Sequence, residues 1–150
     1  MSKIYILGLL VLAGAILNLV GVFTPCWLYA SDGYDMAWFA ASSWLMFVTV
    51  AFTLIIVLTY FTVHADVVRH GFSCGSRNYL RIISGCALMN VLLTVSAVTV
   101  IGVYLSKYSD VYYYGITYNL GYSAWISIGA GVIFLIVFGL SAHISHRDCC

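Results

Sequence analysis

Four stretches of the chain carry no charged residue at all: 4–31, 36–65, 82–106 and 111–146. A helix needs about 20 apolar residues to cross the hydrocarbon core of a bilayer. Each stretch holds one crossing. The last opens on Tyr-rich, polar residues, so it holds one crossing and a loop. Six Lys or Arg and five Asp are all the charges in 150 residues, or 7%. A soluble domain carries roughly 25%. Disorder needs low hydrophobicity and high charge, the opposite of this chain. The net charge of +1 excludes a dedicated nucleic-acid binder, which needs a basic stripe against phosphates. Barrel strands alternate apolar and polar residues. Here 48–63 is apolar on every side, as in a helical bundle. The composition predicts an all-α integral membrane protein, one four-helix bundle over 1–150.

The spans are expected at 4–23, 40–63, 82–105 and 121–144. The first could be read as a signal peptide, but its apolar stretch exceeds the 7–15 residues of a signal core. An uncleaved span is the better reading. Short flanking loops rich in Lys and Arg stay cytoplasmic. Lys3, Arg69, Arg77, Arg81 and Arg147 flank one side, and Lys107 alone flanks the other. Both termini and the loop 64–81 are therefore expected in the cytoplasm. The loops 24–39 and 106–120 are expected outside. Gly71, Ser73, Gly75 and Ser76 read as a flexible inner turn.

Aromatic residues crowd the outer boundary: Trp27, Trp38, Trp44, Tyr104, Tyr108, Tyr112, Tyr113, Tyr114, Tyr118, Tyr122 and Trp125. Amphipathic rings suit the headgroup region, which accounts for most of them. Three consecutive Tyr beside Gly115 exceed what anchoring needs. Trp27, Tyr112, Tyr113, Tyr114 and Tyr118 are therefore candidate contact residues, since aromatic side chains are enriched at protein interfaces.

Small residues let helix backbones approach closely in lipid. Ser123, Ser127 and Gly131 recur every four residues in the fourth span, a candidate packing seam. Gly14 and Gly21, with Asn18, form a weaker version in the first. Asn18 and Asn90 lie inside spans, where an amide must find a hydrogen-bond partner. Both read as interhelical ties, with ligand binding as the alternative. No Asp, Glu, Lys or Arg falls within a span. Pumps and secondary transporters use such residues as counter-charges, so the pattern disfavours them.

Little supports catalysis, and no cofactor is expected. There is no Cys-x-x-Cys motif, and no Ser/His/Asp set falls on one side. His143, His146, Cys149 and Cys150 cluster near the C-terminus. Structural zinc sites have tighter, paired spacing, so no metal site is expected. Cys26 is alone near the outer face, which leaves it no intrachain disulfide partner there. Cys74, Cys149 and Cys150 lie beside the inner leaflet and are candidates for reversible S-acylation; unmodified thiols are the alternative.

Thr24-Pro25-Cys26-Trp27 follows the first span. A basic Gly/Ser-containing segment, residues 75–85, leads into the third span, and an aromatic segment, residues 113–125, leads into the fourth. In this order the chain resembles the claudin, peripheral myelin protein and epithelial membrane protein superfamily, best over 70–145. A second resemblance, on topology and short loops alone, is to compact MARVEL-type vesicle proteins. In claudins a long first outer loop carries Trp, a Gly-Leu-Trp motif and a disulfide pair. It builds most of an outer β-sheet and lines a paracellular pore. Here only Trp27 matches, and 16 residues, 24–39, separate the first two spans. The resemblance implies a non-enzymatic protein of cell contacts or membrane domains in the plasma membrane. It would associate with the lipid bilayer, with itself and with other four-span proteins. The alternative it implies is an auxiliary subunit of an ion channel or receptor.

Overall fold

The computed structural model describes residues 2–24, 28–29, 37–71, 74–109 and 119–147. Four helices carry the fold: α1 (Ser2–Phe23), α2 (Ala37–His70), α3 (Cys74–Ser109) and α4 (Tyr122–Arg147). All four are long and apolar enough to cross a membrane. They run up and down in chain order, and α4 returns to pack on α1, closing a ring. Contacts between chemically distinct positions fix the antiparallel sense. Tyr60 of α2 donates to the Ile4 carbonyl at 3.3 Å, and Ser42 of α2 to the Ala97 carbonyl at 3.3 Å. Ser145 of α4 donates to the Arg77 carbonyl at 3.5 Å.

One expectation needs correction. The segment 64–81 is mostly helix, not loop: α2 runs to His70 and α3 resumes at Cys74. Gly71 closes α2 at φ 75°, its N–H bonding the Val67 carbonyl at 3.0 Å. That left-handed cap suits a residue without a Cβ. Gly75 and Ser76 belong to the first turn of α3. Arg69, Arg77 and Arg81 can sit on helices because long side chains reach the headgroup level while their stems stay apolar. At 34 and 36 residues, α2 and α3 are each roughly 50 Å long at 1.5 Å per residue. Both therefore outrun the ~30 Å hydrocarbon core.

The interior is layered. Towards the end that holds both termini, Ile4, Leu7, Val11, Ile56, Val63, Leu80, Ile83, Phe134 and Val137 form one buried apolar cluster. Towards the other end, Met46, Ala97, Ile101 and Ala124 form a smaller one. Between them lies a buried polar layer of Asn18, Thr49, Thr53, Asn90 and Thr94. The outer surface is as apolar as the inner: Leu9 is 70% exposed, Leu58 68% and Ile16 61%. Water does not tolerate apolar surface on that scale, whereas lipid does.

Candidate functional site

The polar layer is built on α2. Thr53 donates to the Thr49 carbonyl at 2.8 Å, the usual back-bond of a Thr within a helix. Its oxygen then accepts twice, from Asn18 Nδ2 at 2.7 Å and from Asn90 Nδ2 at 2.8 Å. One hydroxyl thus joins α1, α2 and α3, with its full capacity of one donor and two lone pairs in use. Thr49 donates to the Met46 carbonyl at 2.7 Å and lies 3.2 Å from Asn18 Oδ1. Thr94 bonds the Asn90 carbonyl at 2.9 Å. Asn90 Oδ1 is buried and has no hydrogen-bond partner among the described residues.

The small residues of α4 divide between two neighbours. Ser123 and Ser127 face α1. Ser123 donates to the Thr24 carbonyl at 3.3 Å and Ser127 to the Ser123 carbonyl at 3.0 Å. A Cβ on Gly21 would overlap Ser127 Oγ and come 3.3 Å from its backbone nitrogen. One on Gly14 would come 3.2 Å from Ile133 Cγ2 and 3.3 Å from the Phe134 ring. Gly131 faces α3 instead, and a Cβ there would meet Thr94 Cγ2 at 3.6 Å, ordinary contact. A four-residue step advances about 40° around a 3.6-residue helix, so the row of small residues turns from one neighbour to the next.

At the end away from the termini, Ser123 fastens the start of α4 to the residue after α1. Just beyond, Leu28–Tyr29 (β1) pairs antiparallel with Asn119–Leu120 (β2), in register Leu28↔Leu120 and Tyr29↔Asn119. This ladder joins the α1–α2 connection to the α3–α4 connection. Phe23 and Phe47 meet edge to face at 6.0 Å, with Trp44 6.3 Å from Phe47. Trp44 and Trp125 are 72% and 65% exposed, which suits rings at a headgroup boundary. Trp27, Tyr112, Tyr113, Tyr114 and Tyr118 lie outside the described residues, as do Cys149 and Cys150. Cys74 is the first residue of α3.

At the opposite end, the chain folds Lys3, Arg69, Arg77, Arg81 and Arg147 to one pole of the bundle. Ser76 there donates to Asp66 Oδ2 at 2.8 Å, tying α3 to α2. Among the described residues no three His, Cys, Asp or Glu side chains come together as metal ligands would.

A family model described as tight junction protein, claudin-like, matches residues 1–150, the full length of the chain. The chain belongs to the claudin-like tight junction family. No curated protein matches it. Claudin-like proteins are membrane proteins and generally non-enzymatic. Family and helices together make the chain an integral multi-pass membrane protein. The match covers the first half as well, where the sequence resemblance is weaker. The ladder between the two connections has two residues per strand.

Sequence reading missed several of these features. Thr49 and Thr53 are partners for the asparagines, and Gly8 leaves room for the Tyr60 ring, which a Cβ there would overlap. Spacing held a partial signal: Asn18 and Asn90 need acceptors, and Thr49 and Thr53 are one turn apart in the neighbouring span. The β1–β2 pair has no sequence signal at that length.

Proposed function

We propose that this claudin-like chain organises cell contacts or membrane domains of the plasma membrane. It does so by lateral association with its own kind or with other four-span proteins, and by contact through its Tyr-rich outer segment. The observation that carries this reading is how the bundle spends its polar groups. The spans turn their amides inward onto Thr53, and apolar side chains fill the layers on either side. What remains for partners is an apolar flank and two polar ends. A shallow apolar cleft of about 380 Å³ between α3 and α4, lined by Val91, Val95, Val98, Ile128, Val132 and Leu135, lies on that flank. It suits association within the membrane, where packing rather than hydrophobicity holds helices together. Both termini lie in the cytoplasm in this reading, on the strength of the five cations at their pole. The chain acts without catalysis.

The test replaces Tyr112, Tyr113 and Tyr114 together by Ser in the full chain, expressed in contacting cells. Enrichment at contacts falls while the protein still reaches the surface and keeps its helical content. Undiminished enrichment counts against a role for the outer segment.

The short outer region also favours a second reading, an auxiliary subunit docked on a channel or receptor. A large partner at fixed stoichiometry distinguishes it.

A further inference from the structure

A cavity of about 220 Å³ opens between the first turns of α3 and the last turns of α4. Arg77, Arg81 and Ser84 line one wall; Ala142, Ser145 and His146 line the other. Arg77 and Arg81 are four residues apart and so share a helix face. The charge in the lining is wholly basic. Asp66, the carboxylate at this pole among the described residues, accepts from Ser76 and does not line the cavity.

The arrangement has an unmet need. Arg77 Nε is fully buried and has no hydrogen-bond partner among the described residues. Leaving such a donor unsatisfied is costly, more so on a charged group. Arg77 also lines the cavity, where an oxyanion would take up its guanidinium charge, because guanidinium forks fit phosphate oxygens. The hydroxyl of Ser84 on the α3 wall is a further donor. The volume is well above the ~10–15 Å³ one water needs. The site also lies at headgroup depth, since Arg81 immediately precedes the charge-free stretch that enters the bilayer.

We propose that this cavity binds the phosphate of an anionic lipid headgroup, clamped by Arg77 and Arg81 from α3 and closed by His146 from α4. Such a lipid would bridge the two helices at the termini end of the bundle. Basic pockets between spans take phosphorylated headgroups in this way. The proposal is independent of the contact role above.

The test uses the full chain in nanodiscs of phosphatidylcholine containing a few per cent phosphatidylinositol 4,5-bisphosphate. Native mass spectrometry then counts lipid retained on the released protein. One phosphoinositide is expected to stay bound. Retention should fall at least about tenfold in Arg77→Gln/Arg81→Gln, the loss of two charge-assisted contacts. It should fall comparably in His146→Glu, which brings a carboxylate into the cavity from an exposed position and so leaves the bundle intact. Arg69→Gln, an exposed cation outside the cavity, should keep it. An equal loss in Arg69→Gln would mean diffuse attraction only and would overturn the site. So would retention unchanged by His146→Glu. Displacement of the lipid by millimolar inorganic phosphate would assign the cavity to the free anion and overturn the lipid assignment.

Discussion

Asn18 of α1 and Asn90 of α3 donate to the same oxygen, the Thr53 hydroxyl of α2, at 2.7 and 2.8 Å. A single side chain therefore fixes the register of three helices. Apolar packing alone specifies register less sharply here, because large apolar side chains cover the exposed side of each helix as well.

Thr53→Val keeps the shape and removes the oxygen. Two buried amides then lose their acceptor. An unmet buried donor costs about 1–3 kcal/mol in soluble proteins, while hydrogen bonds between membrane helices average about 0.6 kcal/mol. A loss of about 1–3 kcal/mol is expected in reversible unfolding from mixed micelles. Thr53→Ser keeps the oxygen and should lose less than about 1 kcal/mol. A loss for Thr53→Ser with none for Thr53→Val would show that the methyl group, not the hydroxyl, matters.

Asn90→Leu should be milder than Thr53→Val. It removes a carbonyl oxygen that has no partner among the described residues, which offsets the lost bond. The same micelle unfolding curve compares them, and a larger loss for Asn90→Leu would show that Asn90 Oδ1 has a partner in the folded protein.

Gly21 and Gly131 look alike in sequence and should respond oppositely. Gly21→Ala forces the new methyl against Ser127 Oγ, an overpacking cost of about 1–3 kcal/mol. Ser127→Ala should recover part of it, with a coupling energy of about 0.5–3 kcal/mol in a double-mutant cycle. Gly131→Ala finds its nearest atom at 3.6 Å, and the helix gains about 0.5–1 kcal/mol of propensity. It should be neutral or stabilising.

Cys74, Cys149 and Cys150 are expected to carry thioester-linked acyl chains, as juxtamembrane cytoplasmic cysteines often do. Hydroxylamine-sensitive labelling in cells should vanish when all three are changed to Ser, while Cys86→Ser, half-buried within α3, leaves it unchanged. Label that persists in the triple variant would place acylation elsewhere.

The four helices were legible because a bilayer imposes a demand on composition: about 20 residues without charge. The helix ends were less so. Arg69, Arg77 and Arg81 read as loop, since charge marks the bilayer boundary and not the end of a helix. Partner faces were the hardest. Thr53, Thr59 and Thr62 each back-bond to the carbonyl four residues earlier, yet only Thr53 meets an asparagine. Nothing local separates them, because an exposed Thr satisfied by its own helix is as acceptable to lipid as a buried one. The seam of Ser123, Ser127 and Gly131 was visible as a spacing, but its division between α1 and α3 depends on how the helices cross. Gly8 carried no mark either, as its role exists only opposite Tyr60.

Lateral association is tested most directly by what accompanies the protein out of the membrane. The tagged chain would be extracted from its native membrane in mild detergent, resolved on a native gel, and its companions identified by mass spectrometry. A ladder of the chain with itself, or with other four-span proteins, is the expected result. A single large channel or receptor at fixed stoichiometry would contradict it and make the chain an auxiliary subunit.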